Sequence, residues 1–180
     1  DTHYNPVFRG IKEGEQALTE KEKIDAAVLR ARDYAITQYQ SVVSYMKSIG
    51  INRPVHIGET GWASICNDLF GKNGSKAVDE YKSAQYYKMM RDWTNKKGIT
   101  CFYFEGFDEN WKNSANPLHS ENHFGFIDLQ SYAKFAIWNL VDEGAFKGLK
   151  RNGKAITKSY NGNEQLLWGD VVTPDKILKN

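Results

Sequence analysis

The chain has 180 residues, 41% of them hydrophobic and 26% charged, with a net charge of +2 at pH 7. This composition fits one folded unit with a real core and excludes a disordered chain. So small and evenly spread a charge does not point to nucleic acid or an anionic membrane surface, and no apolar run approaches the roughly 20 residues of a membrane span.

Asp1 to Gly10 reads as the end of a strand running into a loop, because Pro6 removes a backbone donor and Gly10 closes the segment. The chain begins at Asp1 rather than at Met, with no signal peptide, and is expected to have been trimmed or cut from something longer. A helix is predicted from Thr19, where Thr19 and Glu22 have the spacing of a capping box. Its apolar positions are Ile24, Val28, Ala31, Ala35, Val42 and Met46, and Gly50 stops it.

The stretch Pro-Val-His-Ile-Gly-Glu-Thr-Gly-Trp-Ala-Ser, residues 54 to 64, reads as a buried strand near 54–59 that delivers one carboxylate, Glu59, at its C-terminal end. Gly61 allows a sharp turn or a close backbone approach, and Trp62 offers a flat apolar face of the kind a sugar ring needs. The rival reading is a solvated Glu beside a Trp packed over the rim. A polar loop through Asn73-Gly74-Ser75, which also matches a glycosylation acceptor, leads to a second helix carrying Val78, Tyr81, Ala84, Met89 and Trp93 and ending at Gly98.

A second buried strand, near 99–105, finishes on Glu105 and runs into Gly106-Phe107-Asp108-Glu109-Asn110-Trp111-Lys112. A loop leads to Glu121 and the short apolar run from Phe124 to Asp128. A third helix is predicted from about Ala133 to Leu149, with a polar tail from about residue 150. Strands alternating with helices imply an α/β fold with a parallel sheet, either doubly wound or part of a (β/α)8 barrel. In both, ligands gather at the C-terminal ends of the strands, where two acids stand here.

No Gly-rich phosphate loop, nucleophile-elbow Ser or Cys-His pairing is present. Cys66 and Cys101 are too few for a disulfide framework and lack zinc-ligand spacing, so free thiols are expected. His119 and His123 are four apart in a loop rich in Ser, Asn and Pro, and read as solvated or hydrogen-bonded imidazoles rather than metal ligands. His56 reads as a packed histidine. No metal or other cofactor is expected. Paired carboxylates with abundant aromatics point instead to glycosidic bonds.

The motifs around Glu59 and from Phe102 to Lys112, in this order and with Glu121 and Phe124-Gly125-Phe126 behind them, resemble glycoside hydrolase family 17, the β-1,3-glucanases and β-1,3-glucanosyltransferases. The resemblance implies one partial catalytic domain over 1–180, the C-terminal part, about strands six to eight, of a (β/α)8 TIM barrel. Tyr4 and Phe8 then resemble the substrate-binding aromatics at the end of strand six, and Trp62 lines a donor-side sugar site. Glu59 is implied as the nucleophile. Glu109, Lys112 and Glu121 match the charged group that contacts substrate, with Lys112 offsetting the two acids. Their rival reading is a surface ion-pair cluster that holds a loop.

One departure concerns the acid/base, which in the family is a Glu preceded by Asn at the end of strand four. The Asn163-Glu164 pair lies in the polar tail with no strand before it and is rejected, and Glu105 has no such role in the family's pattern. A barrel of this type needs about 250 residues. The expectation is therefore a retaining hydrolase acting on β-1,3-glucan whose isolated 180-residue chain is inactive. Its partners would be a β-glucan oligosaccharide or polysaccharide and the missing N-terminal part of the barrel, with neither nucleic acid nor membrane. The alternatives are a β-1,3-glucanosyltransferase, a non-catalytic glucan-binding module and an α/β interaction domain. A polymeric substrate implies an extracellular, periplasmic or cell-surface location.

Overall fold

A computed structural model describes residue 12, residues 14–67 and residues 70–173. The strand read near 1–8, with Tyr4 and Phe8, lies outside the described residues. Helix α1 spans Glu20–Ser48 and starts on the capping box: Thr19 Oγ1 accepts from the Glu22 N–H, and the Glu22 carboxylate accepts from the Thr19 N–H at 2.8 Å. Such a cap stabilises a helix start by about 1 kcal/mol. Helix α1 buries Ile24, Ala27, Val28, Ala31 and Ile36. Farther along, Val42, Tyr45 and Ile49 are exposed.

Strand β1 is Ile57–Gly61, helix α2 is Glu80–Lys97 and strand β2 is Cys101–Phe104. The two strands pair in parallel, Ile57 opposite Cys101 and Gly61 opposite Phe104, and α2 makes the crossover between them. Gly61 has a steric reason: a Cβ there would lie 2.1 Å from the Phe104 carbonyl oxygen. Asp79 caps α2, accepting from the Lys82 N–H, and Gly98 ends it in the left-handed region at φ 63°. Trp62, Tyr81, Tyr86, Met90 and Phe124 join the α1 stripe in the main core. A smaller cluster gathers Ala84, Ile127, Ala133 and Ile137.

Four expectations need correction. The first strand is displaced to Ile57–Gly61, so that Glu59 lies in its middle rather than at its C-terminal end, and the second is shorter than read. The expected burial of both faces also fails, since Glu59 is exposed and Phe102 is 63% exposed. The third helix is broken up. Residues 133–149 contain the end of strand β3 (Tyr132–Ala133), a 3-10 turn and helix α3 (Trp138–Asp142), because Gly144 and Gly148 take φ values of 77° and 80° that end a helix.

The polar tail is folded. Strands β4 (Lys150–Arg151) and β5 (Lys154–Ala155) form a hairpin about Asn152-Gly153, both with positive φ, and β6 (Thr157–Lys158) pairs in parallel with β3. Helix α4, Glu164–Asp170, buries Leu167 and sets Trp168 4.5 Å from the ring of Tyr81. Buried Lys82 pairs with Asp79 and donates to the Val172 carbonyl at 2.6 Å, tying this tail to α2. Asn163 is the N-cap of α4, accepting from the Gln165 and Leu166 N–H groups, so Asn163-Glu164 is a helix start.

Candidate active site

The site is built where β1 and β2 end. Beyond β2 the chain runs beside residues 122–127: the Glu105 N–H donates to the Phe124 carbonyl, Phe126 N–H to Glu105, Asp108 N–H to Ile127 and Glu109 N–H to Asn122. Gly125 permits the approach, since a Cβ there would lie 2.0 Å from the Asp108 nitrogen. This ladder brings the Glu105–Lys112 stretch and Glu121 to the same end of the sheet as Glu59.

Glu59 and Glu121 line one cavity of about 490 Å³. Tyr39 and Val42 of α1 contribute to its wall, with His56, Tyr86, Phe104 and Phe124. A space of this size, part apolar and part polar, falls in the usual range for a small-ligand site. His56, read as a packed residue, is exposed and faces this cavity.

Lys112 is placed differently from the expectation. Its Nζ lies 2.5 Å from Glu105 Oε1 and 3.3 Å from Glu109 Oε2, and 3.9 Å above the ring of Phe104. Phe104 in turn lines the cavity. Lys112, Glu105 and Glu109 thus form one compact group, while Glu121 stands with Glu59. Partial burial pushes the Glu105 carboxyl up, and the Glu109 charge adds to this against the pull of Lys112. Desolvation pushes Glu109 the same way, yet the hydrogen bonds and charge of Lys112 and a bond from Trp111 hold it below the ordinary carboxylate range. The two carboxyls titrate as a pair, with the proton favouring Glu105.

Trp62 is corrected. It is fully buried, its indole N–H donates to the Ala77 carbonyl at 3.1 Å, and its ring centre is 5.0 Å from that of Tyr86. Residue 62 directly follows β1 and turns its side chain into the core under α2, so the flat face read as a sugar platform is a packing face. The aromatics that line the cavity with Glu59, namely Tyr39, Tyr86, Phe104 and Phe124, were not assigned to substrate from sequence. Phe104 and Phe124 lay inside the quoted motifs. Tyr39 sits on α1, remote in sequence, and carried no such signal.

A solved endo-laminarinase from Formosa Hel1_33_131 superposes on the whole of this chain with a TM-score of 0.94 at 52% sequence identity. A glucan 1,3-beta-glucosidase of Arthroderma benhamiae is 30% identical over 111 residues, 55% of this chain. The chain is similar to enzymes that act on β-1,3-glucan, an endo-laminarinase and a glucan 1,3-beta-glucosidase. The two motifs singled out above are those that carry Glu59 and the Glu105–Lys112 group. The chain spans 46% of the laminarinase and 34% of the glucosidase. A β-1,3-glucanosyltransferase of Rhizomucor miehei, solved with laminaritriose, aligns over 73% of this chain at 23% identity and a TM-score of 0.49. No family model matches the chain.

Proposed function

We propose that this chain carries the nucleophile side of a retaining glycoside hydrolase acting on β-1,3-glucan, as strands six to eight of a (β/α)8 barrel. The observation that carries the proposal is Glu59 in the middle of β1, open to the aromatic-walled cavity it shares with Glu121, in a chain 52% identical to an endo-laminarinase. Glu59 would attack the anomeric carbon and form a covalent glycosyl-enzyme. Water would then release the sugar with its configuration retained. Glu121 would hold sugar hydroxyls across the cavity. Lys112 would hold the Glu105 and Glu109 carboxylates in place beyond β2.

The proton donor is proposed to lie outside the described residues. Of the carboxylates at the strand ends, Glu105 is engaged by Lys112, and the Asn163-Glu164 pair opens a helix on the α2 side of the molecule. An activated substrate separates the two halves of the mechanism. A dinitrophenyl 2-deoxy-2-fluoro laminaribioside needs no protonation of its leaving group, so it should label the 180-residue chain at Glu59, as read by peptide mass. Laminarin itself should give no reducing sugar with the same chain. Labelling at another carboxylate, or equal labelling of Glu59→Gln, would refute the assignment.

A further inference from the structure

Behind the candidate site lies a buried polar cluster that the proposed chemistry does not use. The Asp108 carboxylate, 1% exposed, accepts from Lys134 Nζ at 2.6 Å and the Gly125 N–H at 2.8 Å on one oxygen, and meets His123 Nδ1 at 3.0 Å on the other. His123 Nε2 lies 2.8 Å from the Pro117 carbonyl. Both ring nitrogens therefore face oxygen atoms. The His123 carbonyl in turn accepts from the Ser64 N–H at 3.0 Å, Ser64 Oγ at 3.1 Å and Lys134 Nζ at 3.1 Å. Arg151 closes the far side, donating to the Asp108 carbonyl at 2.6 Å.

Each member belongs to a different stretch. Ser64 follows β1, five residues beyond Glu59, and Asp108 precedes Glu109. Pro117 and His123 bracket Glu121, and Lys134 directly follows β3. The Asp108 carboxylate binds Gly125, Lys134 and His123 directly, and His123 carries the tie on to Ser64 and Pro117. In a water-poor interior such a network can hold these stretches at fixed spacing, because a bond lost there costs more than one open to water. An apolar core would not fix that spacing with the same directionality.

We infer that Asp108, His123 and Lys134 are positioning residues, which set the Glu109 and Glu121 carboxylates relative to the end of β1. The inference rests on the glycosidase reading only for the identity of the ligand. The geometry of the carboxylate-bearing loop can be read without sugar.

The test uses the isotope-labelled 180-residue chain. In the unsubstituted protein the amides of Ser64, Glu109, Asn122 and Gly125 should exchange with solvent as one unit, with protection agreeing within about tenfold. Spreads beyond a hundredfold would overturn the inference without any variant. Asp108→Asn keeps shape and removes charge, and His123→Gln is the second variant. Each should speed exchange at Glu109 and Asn122 at least tenfold and move the indole N–H resonance of Trp111, which bonds Glu109. The amides of α2 should stay within twofold. Equal acceleration in α2 would reduce the cluster to general stability and overturn a positioning role. Laminaritriose affinity should fall about tenfold in both variants. An unsubstituted chain blind to laminaritriose, with the exchange pattern intact, would remove the glucan reading and leave the positioning role standing.

Discussion

Lys112 gives its ammonium to Glu105, 2.5 Å away, and shares it with Glu109 at 3.3 Å. The charged group after β2 is therefore organised around a carboxylate that the family pattern left without a role. Burial alone would push Glu105 towards its neutral form, and Lys112 is what opposes that shift.

Lys112→Met should accordingly raise the Glu105 carboxyl further and let Glu109 rise as well, since Lys112 supplies most of what lowers it. Carbon-detected titration of the two carboxyls reads both movements. At neutral pH an unpaired, partly buried carboxylate should cost about 1–3 kcal/mol of stability, and the cost should fade as acid protonates it. A Glu105 titration unchanged by the substitution would mean that the ion pair has no electrostatic consequence.

Gly58 and Gly61 offer a contrast within one strand. A Cβ at Gly61 would lie 2.1 Å from the Phe104 carbonyl oxygen, whereas one at Gly58 meets nothing within 4 Å. Gly61→Ala should force β1 and β2 apart and cost about 3 kcal/mol, near the upper end for overpacking. Gly58→Ala should be neutral or stabilise by up to about 1 kcal/mol through the unfolded chain. Denaturant unfolding of both variants checks the pair, and equal effects would show that the close approach has no energetic weight.

What could be read from the sequence was set by how local the cause is. The capping box at Thr19, the Gly98 stop and the β1-α2-β2 order depend on near neighbours and were legible. The third helix was overcalled because apolar spacing from Ala133 to Leu149 suits a helix, while Gly144 and Gly148 set the chain geometry. The fold of the tail was not legible because Trp168 finds its partner, Tyr81, on α2 far earlier in the chain, and no local pattern announces that. At the site, the pattern put Glu59 on a strand but at its end, whereas β1 continues through Thr60 to Gly61. The direction of Trp62 could not be read, since a tryptophan after a strand can face either the cavity or the core. Buried histidine at 123 was legible only as a hydrogen-bonded imidazole, without its partners.

Glu80 provides a pH signature. Its carboxylate accepts from the Phe135 N–H at 2.5 Å and from Ser159 Oγ, but burial dominates and pushes its carboxyl above the ordinary value of 4.5. The folded state therefore holds this proton more tightly than the unfolded chain. Its contribution to stability is complete below about pH 4.5 and is lost as pH rises through the folded value. Glu80→Gln keeps the acceptor oxygen and removes the titration. The variant should match the parent at acidic pH and gain on it as pH increases, as thermal unfolding across pH would show. A difference that shrinks with rising pH would reverse the sign and mean that Ser159, Phe135 and nearby Lys134 outweigh burial.

Trp62 separates packing from recognition. Its indole is enclosed by the core, against Tyr86, with its N–H on the Ala77 carbonyl. Trp62→Ala should cost about 3–5 kcal/mol, the range for emptying a large aromatic site. Trp62→Phe keeps most of the ring contact and leaves the Ala77 oxygen without its donor, which should cost about 1–3 kcal/mol. Titration of laminaritriose at a temperature where Trp62→Phe is fully folded should then give the parent affinity, because the side chain has no surface to offer a sugar. Cavity-lining positions should behave in the opposite way: Tyr39→Ala and His56→Ala should weaken binding with smaller losses of stability, since both face the space shared by Glu59 and Glu121. A tenfold loss of affinity in folded Trp62→Phe would return this residue to the sugar-binding role read from its place in the motif.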